Sequence, residues 1–302
     1  MPILVVGSVA LDSVKTPFGE ATEALGGSAT YFSAAASFFT QVRLVAVVGS
    51  DFPQAHVDFL EGRGVDLRGL QRVKGTTFRW SGEYGFDLNQ ARTLDTQLNV
   101  FASFRPEIPA AYRESEVVFL ANIDPHLQRD VVQQVKSPRL VAADTMNFWI
   151  MGKPEALRET LKQVHTLLIN DAEARMLAGE PNLVKAARKI LSWGPRSLVI
   201  KRGEYGALMF SDGWWFSAPA LPLEQILDPT GAGDSFAGGF LGYLANTGNF
   251  SLDNIRKAVI MGSVMASFAV EDFSLNRLTR LTYPEIEARY REFKALAQFE
   301  DI

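Results

Sequence analysis

The sequence predicts an α/β fold, a three-layer sandwich in which helices cover both faces of a mostly parallel central sheet. Short apolar runs alternate with longer amphipathic segments at an even pace, and one stretch changes to a period of two. Of the 302 residues, 47% are hydrophobic, which is enough to bury a large core. Because there is no internal repeat, low-complexity tract or clear linker, we expect a single domain over residues 1–302.

The strands and helices are predicted in alternation from the first residues onward. "ILVVG" at 3–7 is a buried type of strand, and "SATYFSAAASFF" at 28–39 predicts a helix with Ser28 near its N-cap. "VRLVAVVG" at 42–49 is again a strand, and a helix through "AHVDFLEGRG" follows it. Further strands, separated by candidate helices, are predicted at 117–122, 140–144, 166–170 and 197–203. In such sheets ligands bind beyond the carboxyl ends of the strands.

One ribbon, from Thr76 to Phe101, has the period of an antiparallel hairpin. One face carries Phe78, Trp80, Tyr84 and Phe86, and the other carries Arg79, Ser81, Glu83 and Asp87. After the turn "LNQAR", the same alternation is predicted to continue through Leu94, Leu98 and Val100. The aromatic face must be covered by the chain's own core, by a ligand beneath a lid, or by a second subunit.

Composition excludes several classes of function. The net charge is −4 and no basic run would track a phosphate backbone, so we expect no nucleic-acid partner. The absence of cysteine excludes disulfides, thiol catalysis and thiolate metal sites, and His56, His126 and His165 have no metal-type spacing. No apolar run reaches the roughly 18 residues needed to span a bilayer, and the start of the chain lacks the features of a signal peptide. We therefore expect a soluble, cytoplasmic protein without membrane contact.

The stretch "ILDPTGAGDSFAGGFLGYL" at 226–244 predicts a glycine-rich turn that leads into a helix. The unpaired N–H groups and the positive dipole end of a helix N-terminus favour an anion such as a phosphate. Asp234 lies where the helix starts, so it is either an acidic helix cap or the general base for a hydroxyl that attacks a phosphoryl group. The helix dipole is expected to keep Asp234 ionised near neutral pH.

Known motifs narrow the choice. The chain has no P-loop, no protein-kinase signature, no G-x-S-x-G elbow, and "GSVALD" in place of a dinucleotide-binding fingerprint after its first strand. "DPTGAGDSFAGGF" is similar, almost residue for residue, to the C-terminal signature of the ribokinase-like (PfkB) carbohydrate and nucleoside kinases. "GSVALD", "GGSATYFSAAA", "NDAE" and "KRGEYGA" resemble other elements of the same family, so the resemblance is spread over most of the chain.

The resemblance implies a phosphotransferase that uses ATP and Mg²⁺ on a hydroxyl of a small sugar or nucleoside, within an α/β domain that carries a small β lid. The lid would be the ribbon at about 76–101 with a contribution near 11–18, and it would form a homodimer contact if its aromatic face met a twin. Asp234 would be the catalytic base, and the N–H groups of Ala232, Gly233 and Asp234 would form the anion hole, with Gly231 in the same loop.

The remaining site residues are also implied by the resemblance. Asp12, Gly26 and Gly27 would bind the acceptor substrate. The nucleotide side would contain Asn170, Glu173, Lys201, Gly203, Asp228 and Thr230. Glu173 would hold magnesium through water, and Asp228 with Thr230 would touch phosphate or a monovalent cation such as K⁺.

Two departures from the family pattern bear on the substrate. Ser28 and Thr30–Phe32 stand where many members have "GGNAAN", and Phe148–Trp149 follow Asp144 and Asn147 where many have the arginine of D-x-N-x-R. Trp80, Tyr84 and Trp149 could stack on a base or belong to the core, with a slight preference for a nucleoside over a simple sugar. A catalytically silent nucleotide or sugar sensor on the same fold stays open, and a dehydrogenase would require nicotinamide binding without its fingerprint.

Overall fold

The fold is built on one large sheet and one small sheet, seen in a computed structural model that describes residues 1–211 and 213–298. Of the expected domain range 1–302, residues 212 and 299–302 lie outside the described residues. The large sheet contains β1 (Ile3–Val6), β4 (Val42–Gly49), β5 (Asp66–Val73), β8 (Val117–Leu120), β9 (Leu140–Asp144), β10 (Thr166–Asn170), β11 (Ser197–Lys201), β12 (Ala207–Ser211) and β13 (Trp214–Ala218). The small sheet contains β2 (Ala10–Thr16), β3 (Gly19–Gly26), β6 (Phe78–Tyr84) and β7 (Ala91–Gln97).

The large sheet is parallel from one edge through most of its width. Its strand order is β13-β12-β11-β10-β9-β8-β1-β4-β5, and the last two strands along the chain, β12 and β13, pair antiparallel at one edge. All parallel strands therefore end at the same side of the sheet, where we expect ligands to bind. The strand boundaries predicted at 42–49, 140–144 and 166–170 are confirmed.

Helices cover both faces of the large sheet, so the predicted three-layer sandwich is confirmed. The described helices are α1 (Ser28–Ala36), α2 (Gln54–Gly62), α3 (Pro125–Gln134), α4 (Asn147–Gly152), α5 (Pro154–Leu161), α6 (Asp171–Ala178), α7 (Leu183–Leu191), α8 (Ala232–Thr247), α9 (Leu252–Ala269), α10 (Asn276–Arg280) and α11 (Tyr283–Leu296). Successive side chains of β1 enter opposite cores: Ile3 and Val5 pack with α1, α8 and α9, whereas Leu4 and Val6 pack with α3 and α5–α7. Among the described residues, none of these helices is long and apolar enough to cross a membrane.

The small sheet has the order β3-β2-β6-β7, with β2 parallel to β6 and antiparallel pairing elsewhere. The strand β3 was not part of the predicted ribbon. The alternation expected through Leu98 and Val100 is wrong, because β7 ends at Gln97 and a 3₁₀ helix follows at Asn99–Ser103. Val100 leaves the ribbon because its side chain packs into the core of the large sheet.

Helix α8 lies between α1 and α9 at glycine contacts. A Cβ on Gly238 would be 2.5 Å from the Phe32 carbonyl oxygen of α1, and one on Gly239 would be 2.7 Å from the Met261 carbonyl oxygen of α9. These approaches are shorter than any side chain permits, so the three helices pack backbone against backbone. The small-residue run after Asp234 is therefore required by packing as well as by the turn.

We expect Gly238→Ala to lower the free energy of unfolding by about 1–3 kcal/mol, because the added methyl forces two buried helices apart. The effect would appear even though alanine favours a helix interior by about 1 kcal/mol over glycine. The matched control is Gly62→Ala at the end of α2, where a Cβ meets no packed neighbour among the described residues within 4 Å. Urea unfolding of both variants measures the difference, and equal stabilities would contradict the packing argument.

Candidate functional site

The candidate site lies where the parallel strands end. Asp144 is the last residue of β9, Asn170 of β10 and Lys201 of β11, so three polar side chains meet at one edge of the sheet. The N-terminus of α8 approaches the same edge and adds Asp234. Asp144, Glu173, Lys201 and Asp234 are called the charged cluster below.

The glycine-rich turn forms the N-terminus of α8. Gly231 is the N-cap residue, with φ 73°, and a Cβ there would be 2.3 Å from the ring of Tyr31. Both the left-handed backbone and the aromatic neighbour exclude other residues at this position. Of the three N–H groups expected to form the anion hole, that of Ala232 already donates to the Pro229 carbonyl at 3.2 Å. For the N–H groups of Gly233 and Asp234 the described residues supply no acceptor, which is the arrangement that binds an anion.

Asp234 does not cap its helix. It is the third residue of α8, and no side chain makes a cap hydrogen bond at this terminus. Loss of water raises the pKa of Asp234 well above its usual range, the negative charge of Asp144 raises it further, and Lys201 partly opposes the shift. Desolvation and like charges therefore act against the helix dipole, which was expected to keep Asp234 ionised, and the ionisation of Asp234 stays a prediction.

Lys201 is the cation of the charged cluster. Its Nζ lies 3.6 Å from Asp144 Oδ2, and a Cβ on Gly233 would be 2.8 Å from the same Nζ. Burial would lower the pKa of Lys201, but the carboxylates of Asp144, Glu173 and Asp234 reverse this effect and raise it. The ammonium group thus lies beside the start of α8.

Asn170 and Glu173 form a reciprocal cap at the start of α6. Asn170 Oδ1 accepts from Glu173 N at 2.7 Å, and Glu173 Oε2 accepts from Asn170 N at 2.8 Å. Burial, and then the charge of Asp144, raise the pKa of Glu173 to about 7. The other carboxylate oxygen of Glu173 takes no part in this cap.

The described residues contain no group of three or more acidic or histidine side chains arranged as a metal cage. Mg²⁺ characteristically keeps several waters and binds through one or two carboxylates together with substrate phosphates. The single partly committed carboxylate of Glu173 fits that manner of binding, and it does not fit a cage made by the protein alone.

Asp12 comes from the small sheet, and its charge acts on Asp234. Its Oδ2 accepts from Gly27 N at 3.1 Å, and a Cβ on Gly26 would be 1.9 Å from this oxygen. Burial raises the pKa of Asp12 to about 7, with the Gly27 N–H opposing the shift and Asp228 adding to it. The structure thus brings Asp12, Gly26 and Gly27 together.

Asp228 and Thr230 hold the turn that precedes α8. Asp228 is 1% exposed, its Oδ1 accepts from Thr230 N at 2.9 Å, and its Oδ2 accepts from Ser274 N at 3.1 Å. The carboxylate therefore braces the turn against the segment after α9. Thr230 Oγ1 is hydrogen-bonded to the Tyr84 hydroxyl at 3.3 Å, which connects the turn to the small sheet.

The remaining predicted residue, Gly203, lies just after β11. Its φ is 53°, and a Cβ there would be 2.2 Å from Asn89 Oδ1 in the β6–β7 turn. Sequence reasoning missed Asn89, since no local pattern indicates a contact across more than one hundred residues. It also left Asp144 and Tyr31 out of the site, although a polar residue at the end of a buried parallel strand is a usable signal for Asp144.

The aromatic side chains proposed for stacking are held by hydrogen bonds. Trp80 lies over Gly82, and its Nε1 donates to Thr93 Oγ1 at 3.2 Å within the small sheet. Trp149 Nε1 donates to Asn122 Oδ1 at 2.9 Å beyond the end of β8. Each indole is thereby oriented by a hydrogen bond.

Comparison with known proteins agrees with this geometry. The family described as pfkB family carbohydrate kinase matches residues 3–279. A cytidine kinase from Thermococcus kodakarensis is 32% identical over 246 residues, which cover 80% of this chain and 87% of the relative. A nucleoside kinase from Burkholderia thailandensis in complex with inosine has a similar fold, with a TM-score of 0.76 at 19% identity, covering 96% of this chain and 97% of that one.

A ribokinase from Thermotoga maritima has a TM-score of 0.75 at 22% identity, covering 96% of this chain and 99% of that one. Structural similarity at such identities establishes the fold, while the family match covers nearly the whole chain. The chain therefore belongs to the pfkB family of carbohydrate kinases and is a phosphotransferase that acts on an alcohol group.

Proposed function

We propose that the protein transfers the γ-phosphoryl group of ATP, assisted by Mg²⁺, to a hydroxyl of a nucleoside, and that cytidine is the first acceptor to test. The position of Asp234 carries this proposal: it lies in the first turn of α8, where the charges of Asp144, Glu173 and Lys201 act on it together with that of Asp12. The 32% identity to a cytidine kinase over most of its length supports the choice of acceptor. The kinase names of the relatives favour catalysis over a silent sensor.

On the donor side, the protein supplies positive charge and oriented N–H groups. The N–H groups of Gly233 and Asp234 and the Lys201 ammonium would stabilise the phosphoryl oxygens as charge develops on them. Lys201 would take the part of the missing arginine. A magnesium ion bound near Glu173 would screen the phosphate charges, while Asn170 fixes the Glu173 carboxylate through the reciprocal cap.

On the acceptor side, Asp12 would accept hydrogen bonds from sugar hydroxyls, with Gly26 and Gly27 allowing the substrate to approach. Asp234 would then take the proton of the attacking hydroxyl. A carboxylate whose pKa is raised is a stronger base than an ordinary aspartate, which suits this step. We propose the small sheet as the lid over this side, with Trp80 and Tyr84 facing the base.

A further expectation concerns a monovalent ion. A monovalent cation such as K⁺ would bind near Asp228 and the turn at Thr230. It would use the lone pairs of the Asp228 carboxylate that the N–H groups of Thr230 and Ser274 do not use.

Activity in a coupled ADP-release assay over a panel of cytidine, inosine and ribose decides the acceptor class. Turnover on ribose alone would favour the sugar-kinase alternative.

Asp234→Asn is expected to lower kcat by about 10²–10⁴-fold, because it removes the proton acceptor and leaves the shape of the turn unchanged. The affinity of the variant for AMP-PNP, measured by calorimetry, should stay within about threefold of that of the wild type. This change is much smaller than the expected loss in kcat. The matched control is Asp253→Asn, an acidic residue in the first turn of α9 whose side chain is 86% exposed. Turnover close to that of the wild type would exclude Asp234 as the base.

Asp12→Asn is expected to abolish activity yet raise the thermal midpoint, Tm, by about 5 °C at pH 8. The folded-state pKa of Asp12, about 7, exceeds its ordinary value of 3.8, so the folded state binds more protons in this range. The wild type therefore loses stability as the pH rises from about 4 to 7, and the variant does not. The gain in Tm should shrink as the pH is lowered towards 5; a pH-independent loss of stability would contradict this.

The homodimer through the small sheet stays a prediction. Strand β7 is exposed along its length at the edge of that sheet, and Leu94 on it is 51% exposed, so pairing with a second copy has an available edge. Light scattering at micromolar concentration should give twice the mass of one chain, and Leu94→Lys should reduce it. A monomer in the wild type would remove this expectation.

A further inference from the structure

The hairpin formed by β6 and β7 contacts two loops on the nucleotide side of the site. Tyr84, the last residue of β6, reaches Thr230 in the turn before α8, and Asn89 in the hairpin turn lies against Gly203 after β11. These two loops are separated by more than twenty residues along the chain and share no strand. The hairpin is therefore a physical bridge between them.

The Tyr84 hydroxyl is directed into the site by strand geometry. Its neighbour Glu83 is on the opposite face, where it pairs with Arg92 of β7 at 2.6 Å. Burial raises the pKa of Tyr84 to about 12, with the Thr230 hydrogen bond opposing the shift and the charges of Asp228, Asp12 and Asp234 adding to it. The hydroxyl is thus neutral at physiological pH and lies among carboxylates from both sides of the site.

The Asn89 side chain lies close to the backbone of Gly203. The side-chain oxygen occupies the space that a Cβ on Gly203 would need, and Gly203 has the left-handed conformation that glycine adopts readily. A third contact supports the bridge: Thr16 Oγ1, at the end of β2, donates to the Leu227 carbonyl at 2.9 Å. The small sheet is thus hydrogen-bonded to the segment before α8 at two points, Leu227 and Thr230.

We propose that Tyr84 and Asn89 are positioning residues for the nucleotide: they hold the Thr230 and Gly203 loops in place, so that closing the small sheet over the acceptor and ordering the phosphate loops are one event. Binding of either substrate would then strengthen binding of the other, and the effect must be reciprocal. This inference rests on the assignment of the two sides of the site in the proposed function.

Calorimetry with Mg²⁺ and AMP-PNP, with and without cytidine, tests the bridge in the full-length protein. Tyr84→Phe and Asn89→Ala should each weaken AMP-PNP binding by about 3- to 10-fold, although neither residue belongs to a nucleotide loop. In the wild type, cytidine should tighten AMP-PNP binding by about fivefold or more, and both variants should reduce this factor towards one. Steady-state kinetics should show KM for ATP rising more than KM for cytidine in Tyr84→Phe.

A double-mutant cycle separates this role from a purely structural one. If Tyr84 acts through Thr230, the effects of Tyr84→Phe and Thr230→Val on AMP-PNP affinity should be smaller together than their product. The control is Arg92→Gln, on the same strand pair but on the opposite face with a 72% exposed side chain, which should leave nucleotide affinity unchanged.

Unchanged AMP-PNP affinity in both Tyr84→Phe and Asn89→Ala, with Tm values like that of the wild type, would overturn the proposal. A rise confined to KM for cytidine would overturn it as well, since Tyr84 would then only touch the acceptor. Failure of cytidine to bind the wild type would instead refute the choice of acceptor, and the AMP-PNP affinities would still decide the role of the hairpin.

Discussion

The site depends on one buried ion pair network, centred on the ammonium group of Lys201. This cation lies among carboxylates from β9, α6 and α8, and each of those elements ends or begins at the same edge of the sheet. Without it, three acidic groups would repel one another in a region poor in water, and removing one partner of a buried pair typically costs about 3–5 kcal/mol. Lys201 therefore links these carboxylates to one another beside the start of α8.

The same electrostatics explain why the site is costly to the folded protein. Asp12, Glu173 and Asp234 all have raised pKa values because burial and like charges disfavour their ionised forms. Outside a functional site, acidic side chains such as these are normally exposed to water. Keeping them buried sacrifices stability for carboxylates that accept protons and hydrogen bonds readily, which is a common trade at functional sites.

The sheet, its helices and the turn at Gly231 could be predicted from the sequence because each is encoded by local pattern: apolar runs, period and glycine. Two features could not be predicted in this way. The chain leaves the ribbon after Gln97 because Val100 packs into the core of the large sheet, and Asp234 is not the helix cap because Gly231 takes the N-cap position. Contacts such as Asn89 with Gly203 depend on how distant segments meet, and one sequence carries no periodic signal of that. The resemblance to the family implied roles for individual residues, whereas the arrangement of charges around Lys201 is seen only in the folded structure.

The glycine contacts between α1 and α8 have a consequence for how this protein can diversify. Helix α1 starts directly after Gly26 and Gly27, and α8 starts at the glycine-rich turn, so both helix starts belong to a pair of helices in backbone contact. The distance between the starts of the two helices is therefore fixed by this contact, and substitutions at the contact can change it little. New acceptor preferences are therefore more accessible through changes in the small sheet, whose exposed strands can vary without altering that spacing.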